Sequence, residues 1–331
     1  TSTWRTSCHP IVLSLNSCKN MFGAFSDGIT PSGQTVVYIA GWYTDGTSKA
    51  CYWVNGVKYD LPGGTSDAAQ SIYINNGNVY IAGYYTSGTK KACYWVNGVR
   101  YDLPGGSDDW AASIYVLNGN IYVAGRYQSG ANYLPCLWIN GNKTDISTIG
   151  SANDSANSIY AANGNIYVAG TYYNGSNYKA FCWINGTLYD LPGGTSDSAN
   201  SIYVLNGTVY IAGYYYNTAN KPCYWINGIK YDLSCISSGT ARSIYIKGGN
   251  IYVAGSSSSA TSYWVNGNRI DIENGTTEVA LSIFESNDKV YITGKYQNPT
   301  FKAFYCINGV KYDLLGGTGD AAYSIFVYRG L

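Results

Sequence analysis

Aspartate recurs at two places in a unit that repeats along the chain, and carboxylates at a fixed spacing are the first candidates for chemistry. One series is Asp60, Asp102, Asp145, Asp190, Asp232, Asp271 and Asp313, and the other is Asp67, Asp109, Asp154, Asp197 and Asp320. Such carboxylates could bind calcium or act as acid and base in glycoside cleavage. A residue that returns in every repeat better suits a structural task, because an active site needs asymmetry. We therefore expect acceptors that fix loops.

Aromatic pairs near the end of a recurring β-rich run are the candidate binding residues. The possible ligand face consists of Tyr43, Tyr85, Tyr127, Tyr173, Tyr215 and Tyr296. Two interpretations stay open. The rings could form platforms for sugars or a protein partner, or one member of each pair packs in the fold while the other covers its rim.

The chain lacks the residue sets on which most enzymes depend. His9 is the only histidine, and no CxxC, Gly-x-Ser-x-Gly, phosphate-loop or His-Glu-x-x-His motif is present. We predict no catalytic residue, no metal site and no cofactor, and the protein is not expected to be an enzyme.

Nine cysteines leave at least one thiol unpaired within the chain. The cysteines that lie two positions before a recurring Trp are expected to be small buried hydrophobes: Cys51, Cys93, Cys136 and Cys223. Cys8 and Cys18 lie outside the repeat and are a possible disulfide. Residues 15–20 also look like a bacterial lipobox, in which Cys18 would be lipidated, although the residues upstream of it argue against cleavage.

Asn-x-Ser/Thr sequons are possible N-glycosylation sites, at Asn142, Asn153, Asn174, Asn185, Asn206 and Asn274. Several fall in predicted turns or loops, where a glycan would fit. A chain this rich in Asn, Ser and Thr also produces sequons by chance.

The elements that must position these residues form a repeat. Seven glycines of Tyr-Ile-Ala-Gly-like phrases are separated by 42, 42, 45, 43, 42 and 39 residues: Gly41, Gly83, Gly125, Gly170, Gly213, Gly255 and Gly294. In the second copy, four β-rich runs are predicted: residues 71–74, 79–85, 92–96 and 99–103. Asn-Gly pairs favour tight hairpins between the first two and the last two. A longer polar loop is expected over residues 86–91.

Four antiparallel strands per unit of about 40 residues are typical of a propeller blade. The recurring Trp of the third strand is expected to be buried, at Trp53, Trp95, Trp138, Trp183, Trp225 and Trp264, with Cys306 in the seventh copy. We predict an all-β, seven-bladed propeller over residues 35–331. Pairing of residues 324–328 with residues 36–43 would close the ring and remove an open edge.

Composition narrows the class of partner. The net charge is +1 and 12% of residues are charged, which excludes a basic field for nucleic acid or a polybasic patch for lipid. No run reaches the roughly 18 apolar residues of a transmembrane helix. The start at Thr1 rather than Met suggests a processed or incompletely known N-terminus. Low charge with abundant Tyr, Asn, Gly and Ser favours an extracellular or cell-surface protein.

Residues 53–85, WVNGVKYDLPGGTSDAAQSIYINNGNVYIAGYY, resemble tandem repeats of uncharacterised secreted propeller-like proteins of bacteria. They are also similar to the extracellular HAF repeat. The likeness covers residues 35–331 and implies a propeller in an extracellular setting. It implies no catalytic residue.

Two functions follow. The first is a structural subunit of a filament or surface layer, in which the N-terminal extension, residues 1–34, adds to the sheet edge of a neighbouring copy. Residues 24–34 resemble a surplus first strand, which favours this hypothesis. The alternative is that residues 1–34 lie across their own propeller, held there by a Cys8–Cys18 disulfide. The second is a lectin- or adhesin-like propeller that binds a surface glycan or protein through the long-loop face.

Overall fold

The computed structural model describes residues 34–146, 153–258, 260–272 and 276–329. Within these ranges the regular secondary structure consists of 28 β-strands. They form seven four-stranded antiparallel sheets, so the predicted seven-bladed β-propeller is confirmed. The part of the chain described by the structure has no helix long and apolar enough to cross a membrane.

The blades follow one another along the chain. The first contains β1 (Thr35–Asp45), β2 (Thr47–Val54) and β3 (Val57–Asp60). The second is β4 (Ala68–Asn75), β5 (Asn78–Ser87), β6 (Thr89–Val96) and β7 (Val99–Asp102). The third is β8 (Trp110–Leu117), β9 (Asn120–Ser129), β10 (Asn132–Ile139) and β11 (Asn142–Asp145). The fourth is β12 (Ser155–Ala162), β13 (Asn165–Tyr173), β14 (Tyr178–Ile184) and β15 (Thr187–Asp190).

The remaining blades have the same order. The fifth is β16 (Ser198–Leu205), β17 (Thr208–Asn217), β18 (Ala219–Ile226) and β19 (Ile229–Asp232). The sixth is β20 (Gly239–Lys247), β21 (Asn250–Ser257), β22 (Ala260–Val265) and β23 (Asn268–Ile272). The seventh is β24 (Thr276–Ser286), β25 (Lys289–Gln297), β26 (Phe301–Ile307) and β27 (Val310–Asp313), and the last strand is β28 (Asp320–Arg329).

The last strand closes the ring, as predicted. The sheet order of the first blade is β28-β1-β2-β3, and Thr35 pairs with Arg329 at one end of the β1–β28 ladder. The C-terminal strand therefore takes the innermost place that β4 takes in the second blade, and β1 has no open inner edge.

The Asn-Gly turn between the third and fourth strands also fixes the second strand. In all seven blades, a backbone N–H of the second strand donates to the Oδ1 atom of the turn Asn, at 2.8–2.9 Å. The turn residues Asn97 and Gly98 have φ values of 50° and 82°. These left-handed values are the ones that Asn and Gly tolerate best.

One predicted loop is wrong. Residues 86–91 were expected to form a longer polar loop, but β5 and β6 pair up to Ser87 and Thr89. Gly88 alone separates them, with φ at 72°. The polar side chains lie on exposed strand ends, where they do not oppose pairing. At the end of the blades where β5 and β6 are joined, the long loops are therefore those that connect successive blades.

Each residue of the Ser-Ile-Tyr phrase has its own task. The Ser Oγ accepts a hydrogen bond from the Ile N–H of the next blade at 3.1–3.2 Å, in a circle of seven that includes Ser324 and Ile72. The Ile side chain is buried between sheets, as for Ile72, which is 4% exposed. The Tyr side chain lies at the axis.

The recurring Trp joins neighbouring blades. Trp53, Trp95, Trp138, Trp225 and Trp264 are fully buried, as predicted, and Trp183 is 8% exposed. The indole Nε1–H of each of the five donates to a carbonyl of the preceding inter-blade loop at 2.8–3.0 Å. In the second blade, for example, Trp95 binds the carbonyl of Pro62.

The Tyr-Ile-Ala-Gly phrase requires Gly at its last position because a backbone carbonyl of the first strand lies close to this residue. A Cβ atom at Gly83 would lie 2.1 Å from the carbonyl oxygen of Ala68. We expect Gly83→Ala to destabilise the fold by about 1–3 kcal/mol, since the overpacked strand must shift. Gly319→Ala is the matched control, because its Cβ would meet only Thr44 Oγ1, at 3.5 Å. Urea unfolding of both variants checks this, and equal midpoints would contradict it.

Candidate functional site

A β-bulge in the first strand of every blade directs one extra residue towards the propeller axis. In the second blade, Ala69 pairs with Gly83 and Ser71 with Ala82, so Gln70 is the extra residue. The same shift occurs in the other six blades. The bulge ring consists of Gln70, Ala112, Asn157, Asn200, Arg242, Leu281 and Tyr323. Bulges often re-aim side chains next to functional sites.

The bulge ring lines a cavity of about 720 Å³, and all seven of its residues contribute. We call this cavity the axial mouth. It extends to one side, because most of its other lining residues come from the third to sixth blades, including Trp110, Thr171, Ser198 and Tyr214. The cavity falls in the size range of small-molecule binding sites.

Amide and hydroxyl groups on that side are held in fixed orientations. Thr171 Oγ1 donates to Ser198 Oγ, and Ser198 Oγ donates to Asn200 Oδ1, both at 2.8 Å. Asn200 Nδ2 then donates to the carbonyl of Ala241 at 2.7 Å. Asn157 makes the equivalent bond to the carbonyl of Ala199 at 2.9 Å. Such pre-organised groups fix the orientation of a polar ligand.

An aromatic wall contributes Trp110 to the lining of the axial mouth. The rings of Tyr84 and Trp110 lie 5.3 Å apart, centroid to centroid. The guanidinium of Arg126 lies 5.3 Å from the Trp110 ring and 4.5 Å from that of Tyr133. Cations over aromatic faces are favourable, and this arrangement stiffens the wall.

Aromatic rings surround the axis further along the first strands. Tyr73, Tyr115, Tyr160, Tyr203, Tyr245, Phe284 and Phe326 form a closed circle with neighbouring centroids 4.4–5.2 Å apart. Burial raises the pKa of Tyr245 to about 12. This axial ring narrows the channel below the mouth.

The tyrosines predicted as a ligand face lie away from the axis. For five of them, a Lys or Arg group of the fourth strand lies over the ring, 3.2–3.8 Å from the ring centroid: Tyr43, Tyr85, Tyr127, Tyr215 and Tyr296. The hydroxyl of Tyr85 also donates to Asp102 at 2.9 Å. Burial raises the pKa of Tyr43 to about 12, and a hydrogen bond to Asp60 adds to the rise.

In the fourth blade, the equivalent of Tyr85 is Tyr172 rather than Tyr173. Tyr172 follows Gly170 at the same distance and donates to Asp190 at 2.7 Å. Tyr173 is half-buried and lies 5.3 Å from the ring of Tyr178.

The two aspartate series have separate places in the fold. In the first series, Asp102, Asp190, Asp232 and Asp313 accept hydrogen bonds from the tyrosines just described, whereas Asp271 accepts from Ser262 at 2.7 Å. In the second, Asp67 accepts from the N–H groups of Gly64 at 2.7 Å and Thr86 at 3.0 Å. Asp109, Asp197 and Asp320 accept from the corresponding glycines. Burial raises the pKa of Asp320, while bonds from Gly317 and Thr44 oppose the rise. These carboxylates fix the inter-blade loops. The described residues contain no group of three potential metal ligands.

The other candidates divide between described and undescribed parts of the chain. Cys51, Cys93, Cys136 and Cys223 are fully buried free thiols, in the positions predicted for small hydrophobes. The possible disulfide Cys8–Cys18 and the sequon Asn274 lie outside the described residues. The other sequon asparagines are exposed at their turns or strand ends: Asn142, Asn153, Asn174, Asn185 and Asn206.

Sequence reasoning missed the bulge ring, although a signal was present. The residue before each recurring Ser varies between Gln, Ala, Asn, Arg, Leu and Tyr, while its neighbours hardly change. An alignment of the seven copies places it among the most variable positions, between an invariant Ala and an invariant Ser.

The described architecture resembles known propellers in fold alone. No protein-family model matches the sequence. No curated protein matches it either. Among solved structures, TolB from Acinetobacter baumannii superposes with a TM-score of 0.52 at 12% identity, over 76% of this chain and 67% of TolB.

The β-propeller domain of the trilobed protease from Pyrococcus furiosus superposes with a TM-score of 0.50 at 10% identity, over 86% of this chain and 93% of that domain. That domain is described as having an open velcro topology. The ring of the present chain differs, because β28 pairs with β1.

Proposed function

We propose that this protein is a binding module whose axial mouth takes up a polar, carbohydrate-like ligand. The observation that carries the proposal is the variation in the bulge ring. Six residue types occupy its seven equivalent positions, while the Ser, Ile and Gly positions beside them are almost invariant. The fold needs the constant positions and makes no demand on the variable ones.

The chemistry of the mouth supports a saccharide. Apolar faces of sugar rings pack against aromatic side chains, and sugar hydroxyls exchange hydrogen bonds with amides and hydroxyls. Both kinds of group line the mouth, with Trp110 and Tyr214 as aromatic rings and Asn157 and Asn200 as amides. An extracellular or cell-surface location would bring such a module into contact with glycans.

Substitution of the aromatic wall tests the proposal. We expect Trp110→Ala to weaken glycan binding at least about tenfold, because a buried aromatic anchor contributes 2 kcal/mol or more. Tyr101→Ala is the control, since Tyr101 is 46% exposed on the outer rim. A glycan array with wild type identifies the probe, and titration calorimetry with the selected oligosaccharide measures the loss. Failure of every arrayed glycan to bind, or equal affinity of wild type and Trp110→Ala, would refute the proposal.

Self-assembly through residues 1–34 is a second candidate. It is supported by the place of β28, which fills the first-strand position of the first blade. Residues 24–34 resemble a first strand but are therefore surplus to ring closure. Residues 1–33 lie outside the described residues, so the hypothesis stays a prediction. Light scattering of the full chain and of a truncation lacking residues 1–34 tests it, because only the full chain should form polymers.

A further inference from the structure

Eleven Asn-Gly pairs form the two-residue turns of blade hairpins, and they fall into two sets. The inner turns join the first and second strands of the second to fifth blades, with Asn76, Asn118, Asn163 and Asn206. The outer turns join the third and fourth strands of all seven blades, with Asn55, Asn97, Asn140, Asn185, Asn227, Asn266 and Asn308.

The two sets have the same backbone and the same exposure. The φ values are 45–52° for every turn Asn and 74–100° for every turn Gly. All eleven asparagines are exposed. The following residue is always Gly, which leaves its backbone nitrogen sterically open. Any difference in reactivity between the sets must therefore come from the asparagine side chains.

The side-chain amides of the outer turns are held in place. In all seven, Oδ1 accepts the second-strand N–H described above. In four of them, Nδ2 also donates to the Oδ1 atom of an Asn that begins the second strand, at 2.6–2.9 Å: Asn97, Asn140, Asn185 and Asn266.

The side-chain amides of the inner turns are free of such bonds. Asn78 donates to Asn76 at 3.4 Å, but the acceptor is the backbone carbonyl. The four inner side-chain amides make no hydrogen bond to any residue that the structure describes. Each can therefore rotate without loss of a protein contact.

We propose that the inner turns are sites of spontaneous modification, at which Asn is converted to aspartyl and isoaspartyl residues. The backbone nitrogen of Gly attacks Cγ of the preceding Asn and forms a new C–N bond. The bond from Cγ to Nδ2 breaks, and Nδ2 leaves as ammonia with the proton that the Gly nitrogen gives up. Water then hydrolyses either C–N bond of the cyclic imide, which gives Asp or isoAsp.

The hydrogen bonds of the outer turns oppose the first step. Attack requires Cγ to approach the Gly nitrogen in a reactive orientation, so the bound side-chain amide must first be released. Each hydrogen bond that has to break slows the reaction roughly 2- to 12-fold. Three rates are expected: fastest in the inner turns, slower with one bond at Asn55, Asn227 and Asn308, and slowest in the four outer turns with two bonds.

The reaction changes the charge of one end of the ring. Each conversion adds one negative charge, so four conversions take the net charge from +1 to −3. An isoaspartyl residue also adds a methylene group to the main chain of the turn. The inner turns follow the first strands, whereas the bulge ring lies near the start of these strands. The inference therefore does not depend on the proposed ligand site.

Peptide mapping by mass spectrometry tests the inference on the full chain. Bacterial expression keeps Asn206, which begins a sequon, free of glycan. The protein is incubated at mildly alkaline pH in water labelled with heavy oxygen, which marks conversion during incubation and separates it from conversion during digestion. We expect the inner turns to react at least about fivefold faster than the outer turns. In guanidinium chloride all eleven should react at similar rates, because the hydrogen bonds are lost.

Asn250→Ala is the matched variant within the fold. It removes the acceptor of Asn266 Nδ2, a bond of 2.8 Å, and the turn beside it is Gly248-Gly249, which has no Asn to react. The rate at Asn266 should rise roughly 2- to 12-fold, while the rate at Asn76 stays unchanged. Asn268→Ala, next to the same turn, is the control and should change neither rate.

Three results would overturn the inference. Equal rates of inner and outer turns in the folded chain would show that the side-chain bonds give no protection. Inner turns that stay intact while the chain in guanidinium chloride reacts would show that the turn backbone alone prevents attack. An unchanged rate at Asn266 in Asn250→Ala would remove the assigned cause.

Discussion

Deleting residues 320–331 is expected to abolish the closed ring and cause aggregation or unfolding at room temperature. The deletion removes β28, so β1 loses its inner partner and exposes an unpaired edge. It also breaks the circle of inter-blade bonds at Ser324 and Ile325, each 3.2 Å long. The axial ring loses Phe326, whose neighbours Tyr73 and Phe284 lie 5.1 Å away. Light scattering and a thermal melt measure the effect.

A circular permutant is the matched control for this deletion. Thr35 and Arg329 are paired in the ladder, so an Asn-Gly dipeptide can join them as it joins Asn75 to Asn78. New termini between Gly317 and Thr318 leave every strand in place. Because the permutant lacks residues 1–34, a simple truncation of those residues is measured beside it. We expect the permutant to fold, and a monomeric, equally stable deletion variant would contradict the role of β28.

Replacing Trp138 by Ala is expected to cost about 3–5 kcal/mol of unfolding free energy. Trp138 is fully buried, and its indole donates to the carbonyl of Pro104 at 2.8 Å. The variant therefore leaves a cavity between the second and third blades and removes a hydrogen-bond donor. Guanidinium unfolding monitored by circular dichroism gives the change. Stability equal to that of wild type would show that the Trp is not a structural anchor.

The seventh blade provides a rescue test. It carries Phe304 and Cys306 in place of the Cys–Trp pair, and both side chains are fully buried. We expect Cys136→Phe/Trp138→Cys to recover part of the stability that Trp138→Ala loses, because the large ring is returned from the other side. A double variant less stable than Trp138→Ala would mean that the seventh blade depends on further compensation.

Most of the fold could be predicted because its causes are local or repeated. Asn-Gly turns with positive φ, β-branched runs and a period near 42 residues specify hairpins and blades without knowledge of distant contacts. The composite blade followed from counting strands, since a first strand without a second one behind it needs a partner at the other end. The buried Trp followed from its constant phase in the third strand.

Functional positions were harder to predict from the sequence, because the neighbours of a side chain depend on strand register and on other strands. The sequence makes Tyr85 a candidate ligand platform, but it does not show that Arg100 of the fourth strand lies 3.8 Å from the centroid of its ring. The sequence of the second repeat alone does not mark Gln70 as a site residue, since only a bulge turns it to the axis. Local pattern cannot show which strand covers which face.

The sequence by itself determined the architecture: the number of blades, their hairpins, their closure and the buried Trp series. Each of these depends on turn chemistry and on a pattern repeated seven times, which are properties of the chain before it folds. Only the tertiary structure decided where a ligand can bind. Seven bulged residues, separated by 39–45 positions in sequence, meet around one axis because the ring closes. Their different side chains come to line one cavity only when the closed ring brings them together.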